Sequence, residues 1–142
     1  MLLMALGLID LGRAFVFGVA VQEGTREAAR MAATANYDST LTDSAVLGRL
    51  VAASNPALVG CLSQTSSQSC NGGNWTFNVS VVSGGTTYST IASARSANAL
   101  AGAQVTITAS GSVALLPGVS TGNYGLVLPS ITVQGQTAMV IL

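Results

Sequence analysis

The chain has 142 residues, 49% of them hydrophobic, with five arginines, five acids, no lysine and no histidine. Charged residues make up 7% of the chain against a usual quarter, and the net charge is zero. That balance excludes a basic nucleic-acid binder and an acidic disordered tail, and it favours association over life as a soluble monomer.

Chemistry is narrowed further by what is missing. Without His or Lys the chain lacks most general-base chemistry, any Schiff base, a P-loop lysine and the common His zinc sites. The many serines have no His partner, and the five acids form no paired-carboxylate signature. No enzyme, cofactor, metal, nucleic acid or small-molecule substrate is expected.

Residues 1–35 read as one long hydrophobic helix. The first nine residues are uncharged, Asp10 and Arg13 interrupt, and residues 14–21 are apolar again; no Pro breaks the run, which is rich in Ala, Leu and Met. About 21 such residues rise about 32 Å, close to the thickness of a bilayer's hydrocarbon core. A helix apolar on all faces needs lipid or protein around it. The rest of the chain is too polar and too small to bury such a rod, so its partner is expected outside the chain: first membrane, then other copies of itself. Asp10 and Arg13 share a helix face, and charges in an apolar helix are costly unless paired. Their pairing is read either between neighbouring subunits, setting a polymer's register, or within one chain. Gly7 and Gly12 weaken the helix and allow close packing or local melting. Further along, Glu23, Arg26, Glu27 and Arg30 stand three or four apart, as a solvated face or as bridges between subunits. Ala28, Ala29, Ala32 and Ala33 leave smooth faces for close helix approach.

Residues 36–142 are expected to form a small globular head. Asn36-Tyr37-Asp38-Ser39 is a turn. Thr40-Leu41-Thr42-Asp43 has capping-box spacing and opens an amphipathic helix at about 41–54, stopped by Asn55-Pro56 and folded against the following sheet. Residues 57–74 are a polar loop bearing Cys61 and Cys70. Such a pair reads as a disulfide formed outside the cytosol; two free thiols are the alternative. Strands are expected at about 75–82, 86–91, 103–115 and 131–142, with Gly84-Gly85 as a hairpin turn and 92–102 a connection of small residues. Alternation puts Phe77, Val79 and Val81, then Val105, Ile107 and Val113, then Ile131, Val133, Met139 and Ile141 on one face. A long loop runs from Leu116-Pro117-Gly118 through Asn123-Tyr124-Gly125. The whole reads as α+β: the N-terminal helix, then a short helix and an antiparallel meander. Trp75, Tyr88 and Tyr124 read as sheet or core aromatics. Asn74-Trp75-Thr76 and Asn78-Val79-Ser80 match the N-glycosylation pattern, one that arises often by chance in so Asn- and Ser-rich a chain.

The run Leu6-Gly7-Leu8-Ile9-Asp10-Leu11-Gly12-Arg13-Ala14-Phe15 resembles the N-terminal motif of TadE-like proteins, pilin-like components of the tight-adherence branch of type IV pilus systems. Gln22-Glu23-Gly24-Thr25-Arg26-Glu27-Ala28-Ala29-Arg30 is similar to the next stretch of that family. Val105-Thr106-Ile107-Thr108-Ala109, Leu115-Leu116-Pro117, Leu128-Pro129-Ser130-Ile131-Thr132 and Gln136-Thr137-Ala138-Met139 look like its closing strands. The resemblance covers about the first 33 and the last 40 residues. It implies a pilin-like fold and a structural role: a homopolymer forming an extracellular filament for attachment, built from a precursor in the inner membrane. Its implied partners are a prepilin-type peptidase, which would have removed an upstream leader, and the pilus assembly machinery. Family precursors usually carry a Glu ahead of this motif. Here the chain begins almost on the motif, so Asp10 and Arg13 are the nearest candidates for that role in the filament core, followed by Glu23, Arg26, Glu27 and Arg30. The alternative is a minor, membrane-resident assembly or priming component of a tight-adherence machine; a third reading is a membrane-tethered binding module.

Overall fold

A computed structural model describes residues 2–55, 57–65, 67–70, 73–114 and 130–142. The long loop expected from Leu116 through Gly125, with Tyr124, lies outside the described residues, as do Pro56, Asn71-Gly72 and Leu128-Pro129. The architecture is α+β. Helix α1 (Leu2–Ala32) is followed by α2 (Asp43–Ala53), β1 (Gln68–Cys70), β2 (Gly73–Ser83), β3 (Thr86–Tyr88), α3 (Ile91–Ser96), β4 (Gln104–Ala114) and β5 (Ser130–Val140).

The sheet is antiparallel throughout, in the order β1-β2-β4-β5. The expected meander is corrected here. β3 pairs with β2 on the edge that β1 also uses, so β4 takes the other side of β2 and not the side of β3. The strand expected at 86–91 stops at Tyr88, because Thr90 takes an extended backbone and caps α3, its Oγ1 accepting from the Ser93 N–H at 3.0 Å. Ile91 is the buried first residue of that helix. The small-residue connection thus contains a helix, and the cysteine loop contains β1. Gly84 and Gly85, at φ 55° and 82°, make the two-residue turn between β2 and β3.

The second helix is also shifted. Thr42, not Thr40, is its cap, with Oγ1 accepting from the Ala45 N–H at 3.3 Å. Thr40 instead gives its N–H and its hydroxyl to Asp38 Oδ1, at 2.9 and 2.6 Å, which fixes the preceding turn. These bonds, with a smaller contribution from Arg95, hold the Asp38 carboxyl below the usual carboxylate range. Asp43, expected to complete a capping box, accepts the Ile91 N–H at 2.9 Å and so ties the start of α2 to the start of α3. Arg95 donates to the carbonyls of Ala35, Asp38 and Leu41 at 3.0–3.2 Å, clamping the link between α1 and α2.

Alternation along the strands sends Trp75, Phe77, Val79 and Val81, and Val105, Ile107, Ala109 and Val113, to one buried face. There α1 crosses β4 and β5, while α2 packs chiefly along α1 and not on the sheet, contrary to expectation. The head is large enough to bury half of the rod. Phe17, Val21, Thr25, Ala28, Ala29 and Ala32 of α1 are all buried, and the apolar members of that set share one core with α2 and the sheet. Cys61 and Cys70 form the disulfide, with Cα atoms 5.2 Å apart. The Gln68 amide closes the same loop by pairing with both the N–H and the carbonyl of Leu62, at 2.6 and 2.7 Å.

Candidate interaction surface on the N-terminal helix

The helix α1 changes character along its length. Its second half carries small residues where two neighbours come close. At Gly24 an added Cβ would lie 1.8 Å from Ser54 Oγ and 2.8 Å from the Leu50 carbonyl, so α2 crosses almost against the α1 backbone. On the other side, a Cβ on Gly135 of β5 would lie 2.9 Å from a Val21 methyl and 3.0 Å from the Val21 carbonyl. Thr25, fully buried between them, shares a 3.0 Å hydrogen bond with Thr137 and donates to the Gln22 carbonyl. Gln22 donates to the Gln136 carbonyl, and the Leu142 N–H donates to Ala33. The second half of α1 is therefore fixed on both flanks.

The first half is largely uncovered, although Ala14 is buried. Met4, Leu8, Ile9, Leu11, Phe15, Val16 and Val19 are between 50% and 77% exposed. Single exposed apolar residues are ordinary, but a contiguous set on one helix marks an interaction surface. A shallow groove lined by Phe15, Gly18, Val19, Gln22, Glu23, Arg26 and Gln134 continues this surface onto the edge of the sheet. No helix among the described residues is long and apolar enough to cross a membrane.

The charged residues singled out in the sequence lie along the same helix. Asp10 and Arg13 are both half-buried on α1, and the Arg13 guanidinium sits over the Phe17 ring, 5.1 Å from its centroid. That contact lets the cation rest on an aromatic face at the boundary between the covered and uncovered halves. Glu23 pairs with Arg26 at 2.8 Å and Glu27 with Arg30 at 3.2 Å, both within the chain at i,i+3 spacing. Arg49 of α2 adds a third pair, to Glu27 at 3.4 Å. These pairs are largely exposed, so each contributes about 0–1 kcal/mol. Their value lies in orientation: they form a charged collar between the apolar half of α1 and the head. Asp10 and Arg13 stand apart from that collar, about three turns or more toward the N-terminus.

Arg49, Gly24 and Gly135 escaped the sequence reading. A glycine inside a helix and another inside a strand interior are both signals of close backbone approach. The partner of Glu27 had no signal, because it comes from another helix. Among the described residues no group of metal-ligating side chains comes together. No family model, no curated protein and no solved structure matches the chain.

Proposed function

We propose that this chain is a pilin-like structural subunit that polymerises through α1 into an extracellular filament serving attachment. The observation that carries the reading is the division of α1 into a half packed on its own head and a half whose seven large apolar side chains face outward. Burying one such side chain stabilises by about 1.5–3 kcal/mol, so covering the set is worth on the order of 10 kcal/mol per subunit before the costs of association. Lipid and a bundle of identical helices offer the same apolar surroundings. Before assembly the uncovered half rests in the inner membrane; a prepilin-type peptidase and the pilus assembly machinery then bring it into the filament core. The apolar surface passes from lipid to protein without meeting water. In that core Asp10 and Arg13 pair between neighbours, and the collar of Glu23, Arg26, Glu27 and Arg30 meets adjacent subunits where the heads begin. Contacts between identical subunits that do not close into a ring generate a helical filament.

The test is to shear cells expressing the protein, pellet the sheared material, image it and sequence the pelleted chain. Filaments composed mainly of this chain are the expected result. Retention of the chain in the membrane fraction, with no filaments, would overturn the polymer reading and favour a minor assembly or priming component.

A further inference from the structure

The uncovered half of α1 carries two apolar stripes. Met4, Leu8, Leu11, Phe15 and Gly18 stand four and three residues apart in turn, and run into the groove beside Gln22 and Gln134. Ala5, Ile9, Gly12, Val16 and Val19 repeat the same spacing one residue later and end at Glu23. Alternating steps of three and four are the spacing of a seam where one helix meets another. The offset of one residue turns the second stripe about 100° around the helix axis from the first. The head leaves both open: Ala14 and Phe17, which are buried, belong to neither. The stripes differ in relief. The first carries four large side chains, each 60–77% exposed. The second sets Ala5 and Gly12 between larger residues, and a Cβ built on Gly12 would meet nothing within 4 Å.

We infer that the first stripe of one chain packs on the second stripe of another copy. A second copy as occupant rests on the filament reading, and the fit between the stripes supports it independently. Large side chains interdigitate with small ones at facing positions, whereas the first stripe against itself would set bulk on bulk and leave the notch at Gly12 empty. Area points the same way. Burying a large apolar side chain removes on the order of 100 Å² from water, so the four of the first stripe offer about 400 Å² and Ile9, Val16 and Val19 about 300 Å². A stable interface needs about 800 Å² on each side. One contact alone falls short, whereas a chain that uses both stripes, with a different neighbour on each, comes close. The contact is therefore head-to-tail: it joins unlike surfaces and leaves a free stripe at each end of a row of copies. With a corner of about 100° at each helix, about four or five copies complete one turn. A shift of one heptad restores the same facing pattern, so parallel copies can stand level or climb.

The experiment uses the full chain in cells, with the Cys61–Cys70 bridge intact and a bis-maleimide that reacts with added thiols. Leu11→Cys on a chain with one affinity tag is co-expressed with Ala5→Cys, Gly12→Cys or Val19→Cys on a chain with another. These three positions face Leu11 at successive heptads of the second stripe. All four are exposed, so cysteine there leaves the fold of the head unchanged. The expected result is a cross-linked pair carrying both tags with Ala5→Cys or Val19→Cys, while no variant expressed alone cross-links to itself. The reacting partner reads the stagger between copies, about 9 Å for Ala5 and about 12 Å for Val19, and either lets the copies climb. A pair through Gly12→Cys, staggered by about 1.5 Å, means level helices that close into a ring. That outcome would leave this inference standing and remove the filament reading. Self-cross-linking of Leu11→Cys overturns the inference, because two first stripes then meet. Absence of mixed pairs with all three partners, as lipid filling both stripes would give, overturns it too; filaments pelleted from the same cells would then keep the filament reading alone.

Discussion

Replacing Gly24 with alanine tests whether α1 and α2 are locked together as described. In an exposed helix the change would stabilise by about 1 kcal/mol through helix propensity. Here the new methyl meets Ser54 Oγ at 1.8 Å, the Leu50 carbonyl at 2.8 Å and Ser54 Cβ at 3.1 Å. The hydroxyl can turn away, but the carbonyl belongs to the backbone of α2 and accepts the Ser54 N–H at 2.9 Å. Overpacking of this kind costs about 1–3 kcal/mol, and a backbone contact puts it in the upper part of that range. The net expectation is a loss of about 1–2 kcal/mol. Ser54 sharpens the test, because its Oγ is buried with no hydrogen-bond partner among the described residues. A buried hydroxyl left unsatisfied costs about 1–3 kcal/mol, so Ser54→Ala should be neutral to stabilising. It also removes the worst overlap, so Gly24→Ala should cost at least about 0.5 kcal/mol less in the Ser54→Ala background. Urea denaturation in mild detergent, followed by the fluorescence of the single, buried Trp75, measures all four chains. A stabilising Gly24→Ala, or strict additivity of the two changes, would refute the close crossing.

Phe15 is 73% exposed, so Phe15→Glu should leave the urea midpoint of the subunit within about 0.5 kcal/mol of wild type yet abolish pelletable filaments; a destabilised monomer would show that Phe15 packs on its own chain. Arg13→Ala should likewise abolish assembly while the chain stays in the membrane fraction, and normal filaments from it would remove Arg13 from the assembly contact. Opening the Cys61–Cys70 bridge by serine substitution at both positions should cost about 2.5–3 kcal/mol, read as a lowered urea midpoint at unchanged slope. The Asp38 carboxyl has a folded pKa below its unfolded value, so its contribution is present above the ordinary carboxylate pKa and lost as pH falls through the lowered one. Asp38→Asn should therefore shrink the difference in thermal stability between pH 6 and about pH 3; an identical acid profile would show that the bonds from Thr40 do not persist in solution.

Periodicity carried much of the fold. Strict alternation from Trp75 to Val81 and from Val105 to Val113 marks a half-buried sheet, and both stretches lie where alternation placed them. The long helix was equally legible, since nothing in its sequence stops it before the turn at Asn36. What failed was decided between segments. Thr40 and Thr42 are both acceptable caps, and the choice fell to Thr42 because Asp38 captures Thr40. Ile91 suits a strand in isolation, but its N–H is taken by Asp43, 48 positions earlier, and the chain turns into a helix there. The fate of α2 depended on α1 offering Gly24 as a seat; a glycine inside a helix signals a close approach but does not name the partner. The candidate site was partly legible: the i,i+3 pairs follow from spacing, whereas the Arg49 contact and the Arg13–Phe17 stacking needed three dimensions.

The two halves of α1 follow opposite rules, and together they constrain what the helix can serve. Where α1 lies between α2 and the sheet, its buried positions after Val21 are the small Gly24, Thr25, Ala28, Ala29 and Ala32, because neighbours approach the backbone closely there and leave little room for bulk. Beyond Phe17 toward the N-terminus Ala14 is still buried, but the large apolar side chains there, Leu, Ile, Phe, Val and Met, are exposed. Large side chains fill wide spaces, so this half suits partners set well apart around it, as lipid chains or a ring of like helices would be. A lone charged collar cannot change that preference, since its pairs are mostly satisfied within one chain. If the collar does help to place subunits, it acts by shape and register, and Glu27→Gln, which removes the charge shared by Arg30 and Arg49, should alter filament pitch more than filament yield. Equal loss of yield and pitch would mean instead that the pairs hold the subunits together.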